Sequence, residues 1–426
     1  MTEKKAYGHA ARPVEFEELP AGAHYRVERV VAADGVPSRG ILYWKRARVP
    51  RTLVYLMHPR SDFSRHYLIP ALMEIGYAAF GHAGRWVNND TAMIHETVLQ
   101  EIAAGICALK ERYGFSHVIL LGNSGGGSLF AYYQAQAVTP PPRRVSETPA
   151  GDPTSLNDRD MPAADGFISL AAHLGQGKFL MRVIDPSVID ENDPLAADPA
   201  LDMYNPDNGF RLPPEPSRYG PEFVARYREA QRARVARLDA IARHHIAGER
   251  HGRARLTDPA LARGPLADRI FLQRRAVLDR IMVIYRTTAD LAYLDLSMDP
   301  SDRRLGDLYS DRPDIANYGS PFAFGRVATP RAWLSTWSGL SSRASLLDNL
   351  LQVTVPTLVI AHSGDNGVFL GAPEAQYKAS PAPDKTFTVI KGADHYGMPL
   401  PGVTRDTRAE LFRLLGDWLR ERFPAS

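Results

Sequence analysis

The chain has 426 residues, 44% hydrophobic and 23% charged, which is ordinary for a globular enzyme and ample for a large core. Its 51 basic and 48 acidic residues leave a net charge of +3, so the balance gives no pull toward nucleic acid or a membrane surface. A single cysteine, Cys107, excludes an intramolecular disulfide, and no apolar run reaches the roughly 18 residues of a spanning helix. Cys107 lies in an apolar helical stretch and reads as a small buried hydrophobe. The opening Met1-Thr2-Glu3-Lys4-Lys5-Ala6 lacks an apolar h-region, so no secretory signal and a cytoplasmic location are expected.

Residues 24–33 and 38–46 read as a hairpin around Asp34-Gly35, a strong turn pair. Leu53-Val54-Tyr55-Leu56-Met57 is a third strand, followed by His58-Pro59-Arg60-Ser61-Asp62. A helix over 65–75, a strand over 77–81 and a long amphipathic helix over 91–113 come next. The loop Arg85-Trp86-Val87-Asn88-Asn89 past the fourth strand could shape a pocket or only satisfy its own backbone.

Val118-Ile119-Leu120-Leu121 then reads as a buried parallel strand, leading into Gly122-Asn123-Ser124-Gly125-Gly126 and a helix over 128–136. A serine at the tip of a strand-to-helix turn has strained dihedrals, and bulky residues two positions either side would clash with it. Gly122 and Gly126 remove that bulk. Gly125 lets its N–H approach a developing oxyanion, aided by the positive end of the helix. The plainer alternative is a glycine-rich turn that binds phosphate. No Lys-Ser or Lys-Thr follows the glycines, and their spacing is not Gly-x-Gly-x-x-Gly, so neither nucleotide motif fits.

After a Pro-rich loop, residues 165–171 form another strand, and then the strand–helix alternation breaks until about residue 345. This stretch reads as a helical insertion. Residues 223–246 are strongly helical, with Val235, Leu238 and Ile241 on one face and arginines on the others. The arginines read as a solvated face rather than a nucleic-acid site. Residues 274–296 form a second helix or a strand pair around 281–285. Asp190-Glu191-Asn192-Asp193 lacks calcium-loop spacing, and the adjacent His244 and His245 diverge on a helix, so no metal site is implied.

Alternation resumes with strands at 356–361 and 386–390 and a closing amphipathic helix over 408–423. The first strand runs into His362-Ser363-Gly364-Asp365, the second into Gly392-Ala393-Asp394-His395. Both loops lie past strand C-terminal ends, where ligands and catalytic groups gather in open α/β sheets. A serine nucleophile needs a base and the base an orienting acid, which makes His395 and Asp365 the leading pair. His362 competes as base. Asp394 is a weaker acid candidate, and turn formation is the ordinary role for either aspartate.

The elbow and the order Ser124…Asp365…His395 resemble the α/β-hydrolase superfamily over roughly residues 24–174 and 346–423. The resemblance implies an α/β fold with a mostly parallel eight-stranded sheet flanked by helices. It implies core segments at 1–174 and 346–426 and a mainly helical cap at 175–345. It also implies a triad of Ser124 as nucleophile, Asp365 as acid and His395 as base. One oxyanion donor would be Gly125 N–H. The second usually follows the third strand, where this chain has Pro59, which lacks an N–H, so the donor would be Arg60 or Ser61, and Arg60 is favoured.

The implied activity is serine-dependent hydrolysis of a carboxylic ester or lactone through an acyl-enzyme, with no cofactor and no metal. An acyltransferase, thioesterase or C–C bond hydrolase would use the same triad, and a hydrolase-fold binding protein would need none of it. Cap aromatics, among them Tyr285, Tyr293, Phe322, Phe324, Trp333 and Trp337, point to a largely apolar small-molecule substrate. Substrate contacts are expected from His58, Asn123, Trp333 and Trp337. Neither a nucleic-acid nor a membrane partner is expected, and a homodimer is compatible with the chain.

Overall fold

The computed structural model describes residues 15–45, 48–319 and 323–425. Met1–Ala6, Arg46 at the expected end of the hairpin, and Phe322 lie outside the described residues. The first half contains β1 (His24–Val31), β2 (Pro37–Trp44), β3 (Thr52–Met57), α1 (Ile69–Glu74), β4 (Ala78–Ala83) and α2 (His95–Tyr113). It continues with β5 (His117–Asn123), α3 (Gly125–Val138) and β6 (Gly166–Leu170).

The insertion follows. It holds α4 (Gln176–Val183), β7 (Val188–Asp190), β8 (Asp193–Ala197), α5 (Pro221–Leu256), α6 (Pro259–Ala262) and α7 (Leu266–Val277). β9 (Met282–Val283), α8 (Pro313–Gly319), β10 (Val327–Ala328), α9 (Pro330–Ala332) and a π-helical turn at Trp333–Trp337 complete it. The chain closes with α10 (Leu346–Leu350), β11 (Thr357–His362), α11 (Gly371–Ala379), β12 (Lys385–Ile390) and α12 (Thr407–Arg422).

One eight-stranded sheet runs in the order β1-β2-β4-β3-β5-β6-β11-β12. The first two strands pair antiparallel, as do β2 and β4, and every other pair is parallel. The central strands are buried on both faces, which explains their unbroken aliphatic runs. Alternation within them feeds two cores. Leu53, Tyr55 and Met57 pack with Leu99, Ile102, Leu129 and Phe130 of α2 and α3. Val54 and Leu56 face the opposite way, toward Leu72, Leu411, Leu415 and Trp418 of α1 and α12.

Several boundaries differ from the sequence reading for local reasons. Residues 90–92 form a 3-10 turn, so α2 begins at His95 rather than Thr91. The helix after the elbow starts at Gly125, because the close strand–helix approach admits all three glycines. Around 281–285 the strand alternative holds, with Met282 and Val283 paired to Ala328 and Val327. Helix α11, with Pro373 and Glu374 in its first turn, carries no strong periodic signal.

The insertion has its own core of Leu180, Ile184, Val235, Leu238, Trp333, Leu334 and Trp337. Its spine is α5, 36 residues and about 54 Å long. The arginines of α5 are not simply a solvated face. Arg234 is almost fully buried and reaches Glu191 at 2.7 Å and the carbonyl of Asp185 at 2.6 Å. Arg228, together with Arg182 of α4, clasps the buried carboxylate of Asp290. Burial opposes ionisation of Asp290, but the two guanidiniums outweigh it and hold the carboxyl at about 2.

Polar contacts fasten the insertion to the sheet domain. Ser335 Oγ donates to Glu96 at 2.7 Å, Thr336 Oγ1 to the Met93 carbonyl at 2.7 Å, and Arg331 to Asp152 at 2.8 Å. Removing Asp290 would leave two partly exposed guanidiniums, Arg182 and Arg228, without their shared anion. Water can screen both, so Asp290→Ala is expected to destabilise the protein by about 1–2 kcal/mol in guanidinium unfolding. Because the folded value lies below the ordinary 3.8, this contribution is present above that value and lost as pH falls toward about 2.

Candidate active site

Four loops at the C-terminal edge of the sheet converge on one cavity of about 70 Å³. Ser124 comes from the end of β5, His58 from the end of β3, His173 from just past β6, and His395 from past β12. Ser124 sits at φ 56°, ψ −123°, a conformation rare for a residue with a side chain. Close packing enforces it. A Cβ on Gly122 would lie 2.4 Å from the Gly126 carbonyl carbon, and one on Gly126 2.5 Å from the Met57 carbonyl oxygen. Ser124 N–H donates to the Leu170 carbonyl at 3.0 Å, tying the elbow to β6.

His395 Nδ1 is 2.7 Å from Asp365 Oδ2, and both residues are buried. The other carboxylate oxygen accepts Gly367 N–H at 2.6 Å and Val368 N–H at 2.9 Å, which fixes its direction. Burial opposes charging of the imidazole. The charge of Asp365 and its hydrogen bond together outweigh burial, so His395 titrates above the ordinary 6.5. No hydrogen bond joins Ser124 Oγ to His395 among the described residues, yet both line the same cavity. The remaining acid and base candidates, Asp394 and His362, do not line the cavity. Asp394 Oδ1 accepts the N–H groups of Tyr396 and Met398, each at 2.9 Å, as a turn former does. His362 is buried outside the cavity lining, and burial pushes it down to about 4.

The expected second oxyanion donor requires correction. Arg60 N–H donates to His58 Nδ1 at 3.2 Å and Ser61 N–H to the same atom at 3.0 Å. These backbone groups close their own loop rather than remain free to donate beside Ser124. The Arg60 side chain does reach the cavity wall. It pairs with Asp90 at 2.9 Å and lies 5.3 Å over the Phe324 ring and 5.5 Å over Trp337.

Of the expected substrate contacts, His58 and Asn123 line the cavity. The amide of Asn123 is already engaged, by His66 at 3.2 Å and the Leu170 carbonyl at 3.0 Å. Trp333 and Trp337 do not line it. Both are fully buried in the core of the insertion, and Trp333 donates to Asp239 at 2.7 Å. An indole is large enough to be core, and periodicity alone does not separate the two roles. The insertion instead contributes Gln176, Phe179, Leu308, Tyr309 and Phe324 to the cavity. The loop 85–89 is structural: Arg85 binds Glu101 and Asp34, and Trp86 donates to Thr97 at 3.0 Å.

His173 and Gln176 were missed by the sequence reading. They follow the sixth strand in the same position that singled out the loops bearing Ser124, Asp365 and His395, and that was the available signal. No group of histidine, cysteine, aspartate or glutamate side chains suited to a metal ion occurs among the described residues. No helix among them is long and apolar enough to cross a membrane.

The strand order, with a serine elbow after the fifth strand and the loops bearing Asp365 and His395 after the seventh and eighth, is the α/β-hydrolase fold. No family model and no curated protein matches the chain. Among solved structures it is similar to the α/β hydrolase GrgF from Penicillium sp. sh18, at 12% identity over 94% of this chain and 99% of that one, with a TM-score of 0.47. It is similar also to the esterase domain of a Rhodothermus marinus protein, at 11% identity, 93% and 98% coverage and a TM-score of 0.43. The esterase EaEST from Exiguobacterium antarcticum gives 13%, 92% and 98%, and 0.38.

The electrostatics of the pair can be tested without a substrate. The His395 imidazole should titrate above 6.5 by NMR in the intact protein. In Asp365→Asn only burial remains to act strongly on it, so its titration should move down, below that of the parent.

Proposed function

We propose that the protein is a serine hydrolase that cleaves a carboxylic ester or lactone through an acyl-enzyme. The observation that carries this reading is the meeting, in one cavity, of a strained Ser124 at a helix N-terminus and a His395 held by buried Asp365. With Nδ1 bonded to the carboxylate, Nε2 is the nitrogen left to accept the serine proton. Ser124 Oγ bonds to the substrate carbonyl carbon as its proton passes to His395. The carbonyl π electrons move onto oxygen, where Gly125 N–H, at the first position of α3, can donate. The tetrahedral species collapses, the bond to the leaving alkoxide breaks, and His395 returns the proton to it. Water, deprotonated by His395, then releases the acid and restores Ser124.

The insertion acts in this reading as a cap. Phe179, Leu308 and Phe324, with Val368 from the acid loop, give the cavity an apolar wall, while His58, Arg60 and Asn123 make its floor polar. A volume of about 70 Å³ suits a short acyl group. A second cavity of about 70 Å³ adjoins it at His173, Phe179, Gly367 and Val368 and offers room for the remainder of the substrate.

Ser124→Ala should lower ester turnover by about 10⁴–10⁶-fold with the fold intact, and a fluorophosphonate should add once, at Ser124 by peptide mapping. An adduct on Ser128, or an active alanine variant, would remove the claim. Because the neutral imidazole is the base, kcat/KM should rise with pH through a limb above 6.5, the direction of the His395 shift. Asp365→Asn should lose about 10⁴-fold in kcat, and Asp394→Asn far less.

The cap reading is tested separately. Phe324→Ala and Phe179→Ala should move the preference toward longer acyl chains in an ester series, while a small phosphonate still labels Ser124. Trp333→Ala should instead cost about 3–5 kcal/mol of stability, as loss of a core indole does.

A further inference from the structure

Three side-chain nitrogens converge beside the nucleophile. An ideal Cβ on Gly125, the residue after Ser124, would lie 2.6 Å from Gln176 Nε2, 2.7 Å from His58 Nε2 and 3.2 Å from His173 Nε2. The glycine therefore opens a space that these nitrogens surround. All three side chains are more than nine-tenths buried, and all three line the catalytic cavity. None of the three nitrogens has a hydrogen-bond partner among the described residues.

Their hydrogen-bonding roles follow from what holds them. His58 Nδ1 accepts the N–H groups of Arg60 and Ser61, so its lone pair is there and its proton is on Nε2. His173 Nδ1 accepts Gly175 N–H at 3.1 Å, which fixes the same tautomer. Burial, reinforced by neighbouring cationic groups, keeps both rings neutral. Each thus presents one N–H to the cavity, and Gln176 can present its amide NH₂. Three donors without an acceptor around one point are suited to an oxygen that gains negative charge.

We propose that the oxyanion hole is built largely from side chains: His58 Nε2–H, His173 Nε2–H and the Gln176 amide act with Gly125 N–H on the carbonyl oxygen of the substrate. This deepens, and rests on, the serine-hydrolase reading above. It accounts for the loop after β3, where Pro59 has no N–H and the next two N–H groups turn to His58. The loop delivers its donor through the imidazole that its backbone orients. It also gives α4 of the insertion a chemical part, because Gln176 opens that helix.

The decisive experiment is a crystal structure of the whole protein after reaction with a small fluorophosphonate, read together with the kinetics of three variants. The tetrahedral phosphonyl adduct on Ser124 should place one oxygen within about 3 Å of Gly125 N, His58 Nε2, His173 Nε2 and Gln176 Nε2. Gln176→Leu and His173→Leu should each lower kcat for a short ester by about 10²–10³-fold, with KM changed only a few-fold. His173→Gln, whose amide nitrogen can reach the same point, should recover part of that loss; a purely structural role would not give such rescue. Affinity for a tetrahedral boronate should fall in step with kcat/KM across the variants, with melting temperatures near the parent's. If Ser124 is labelled but its oxyanion oxygen points away from these nitrogens, or Gln176→Leu and His173→Leu keep kcat within about three-fold, this assignment is overturned and the serine reading stands. If Ser124 is not labelled at all, the serine reading fails and takes the assignment with it.

Discussion

The close approach of α3 to β3 and β5 is the constraint on which the rest of the site depends. It holds Ser124 at positive φ, and only glycine fits at 122 and 126, where a side chain would meet backbone atoms at 2.4–2.5 Å. Strain of this kind persists only where surrounding structure over-determines it. Here the surroundings are a sheet buried on both faces, whose strands cannot shift without disturbing two cores at once. The same packing leaves the Gly125 N–H at the first turn of a helix without an intrahelical acceptor. Geometry, strain and a local positive potential thus arise from one backbone contact.

How far the sequence could be read follows from which signals are local. The sheet strands were legible because burial on both faces writes continuous aliphatic runs, and the placement of Ser124, Asp365 and His395 at one sheet edge because each lies in a short loop directly after such a run. The pairing of Asp365 with His395 is a long-range contact, but strand order brings their loops side by side. Trp333 and Trp337 misled because an aromatic residue carries the same pattern whether it lines a cavity or fills a core. Arg60 misled because a backbone N–H could be counted but not aimed; its direction depends on His58 two residues away. His173 and Gln176 lay in a loop as well placed as the others, but a histidine not needed for the expected triad drew no attention.

The insertion shows a different balance of forces. Its irregular stretches lack hydrophobic periodicity, and its packing depends on buried or half-buried ion pairs along α5. A carboxylate such as Asp290 could not remain ionised so deeply without two guanidiniums on it, nor could Arg234 remain buried without Glu191 and the carbonyls of Asp185 and Tyr285. Such pairs are directional, and they set orientation better than apolar contact does. That matters because the insertion supplies Phe179, Leu308 and Phe324 to the cavity and bonds directly to the loop that bears Asp365. Asn366, next to Asp365, donates to the Arg304 and Gly306 carbonyls at 3.0 and 2.8 Å. Movement of that segment would be felt at the acid as well as at the cavity wall.

The histidines of the cavity show how one residue type is divided between two tasks. His58, His173 and His395 are all buried within a few ångströms of the same space, and burial alone would keep each of them neutral. One carboxylate separates them. Asp365 stands against His395 and favours its cation, which suits the base role proposed for it. His58 and His173 have no carboxylate and accept backbone N–H groups at Nδ1 instead, which fixes a tautomer but adds no charge. In the proposed mechanism, proton transfer is therefore directed to one imidazole, and the other two serve as fixed neutral donors throughout. Were either of them cationic, it would repel the imidazolium that the proposed attack forms at His395. The division requires no difference in burial, only the presence or absence of an anion at Nδ1.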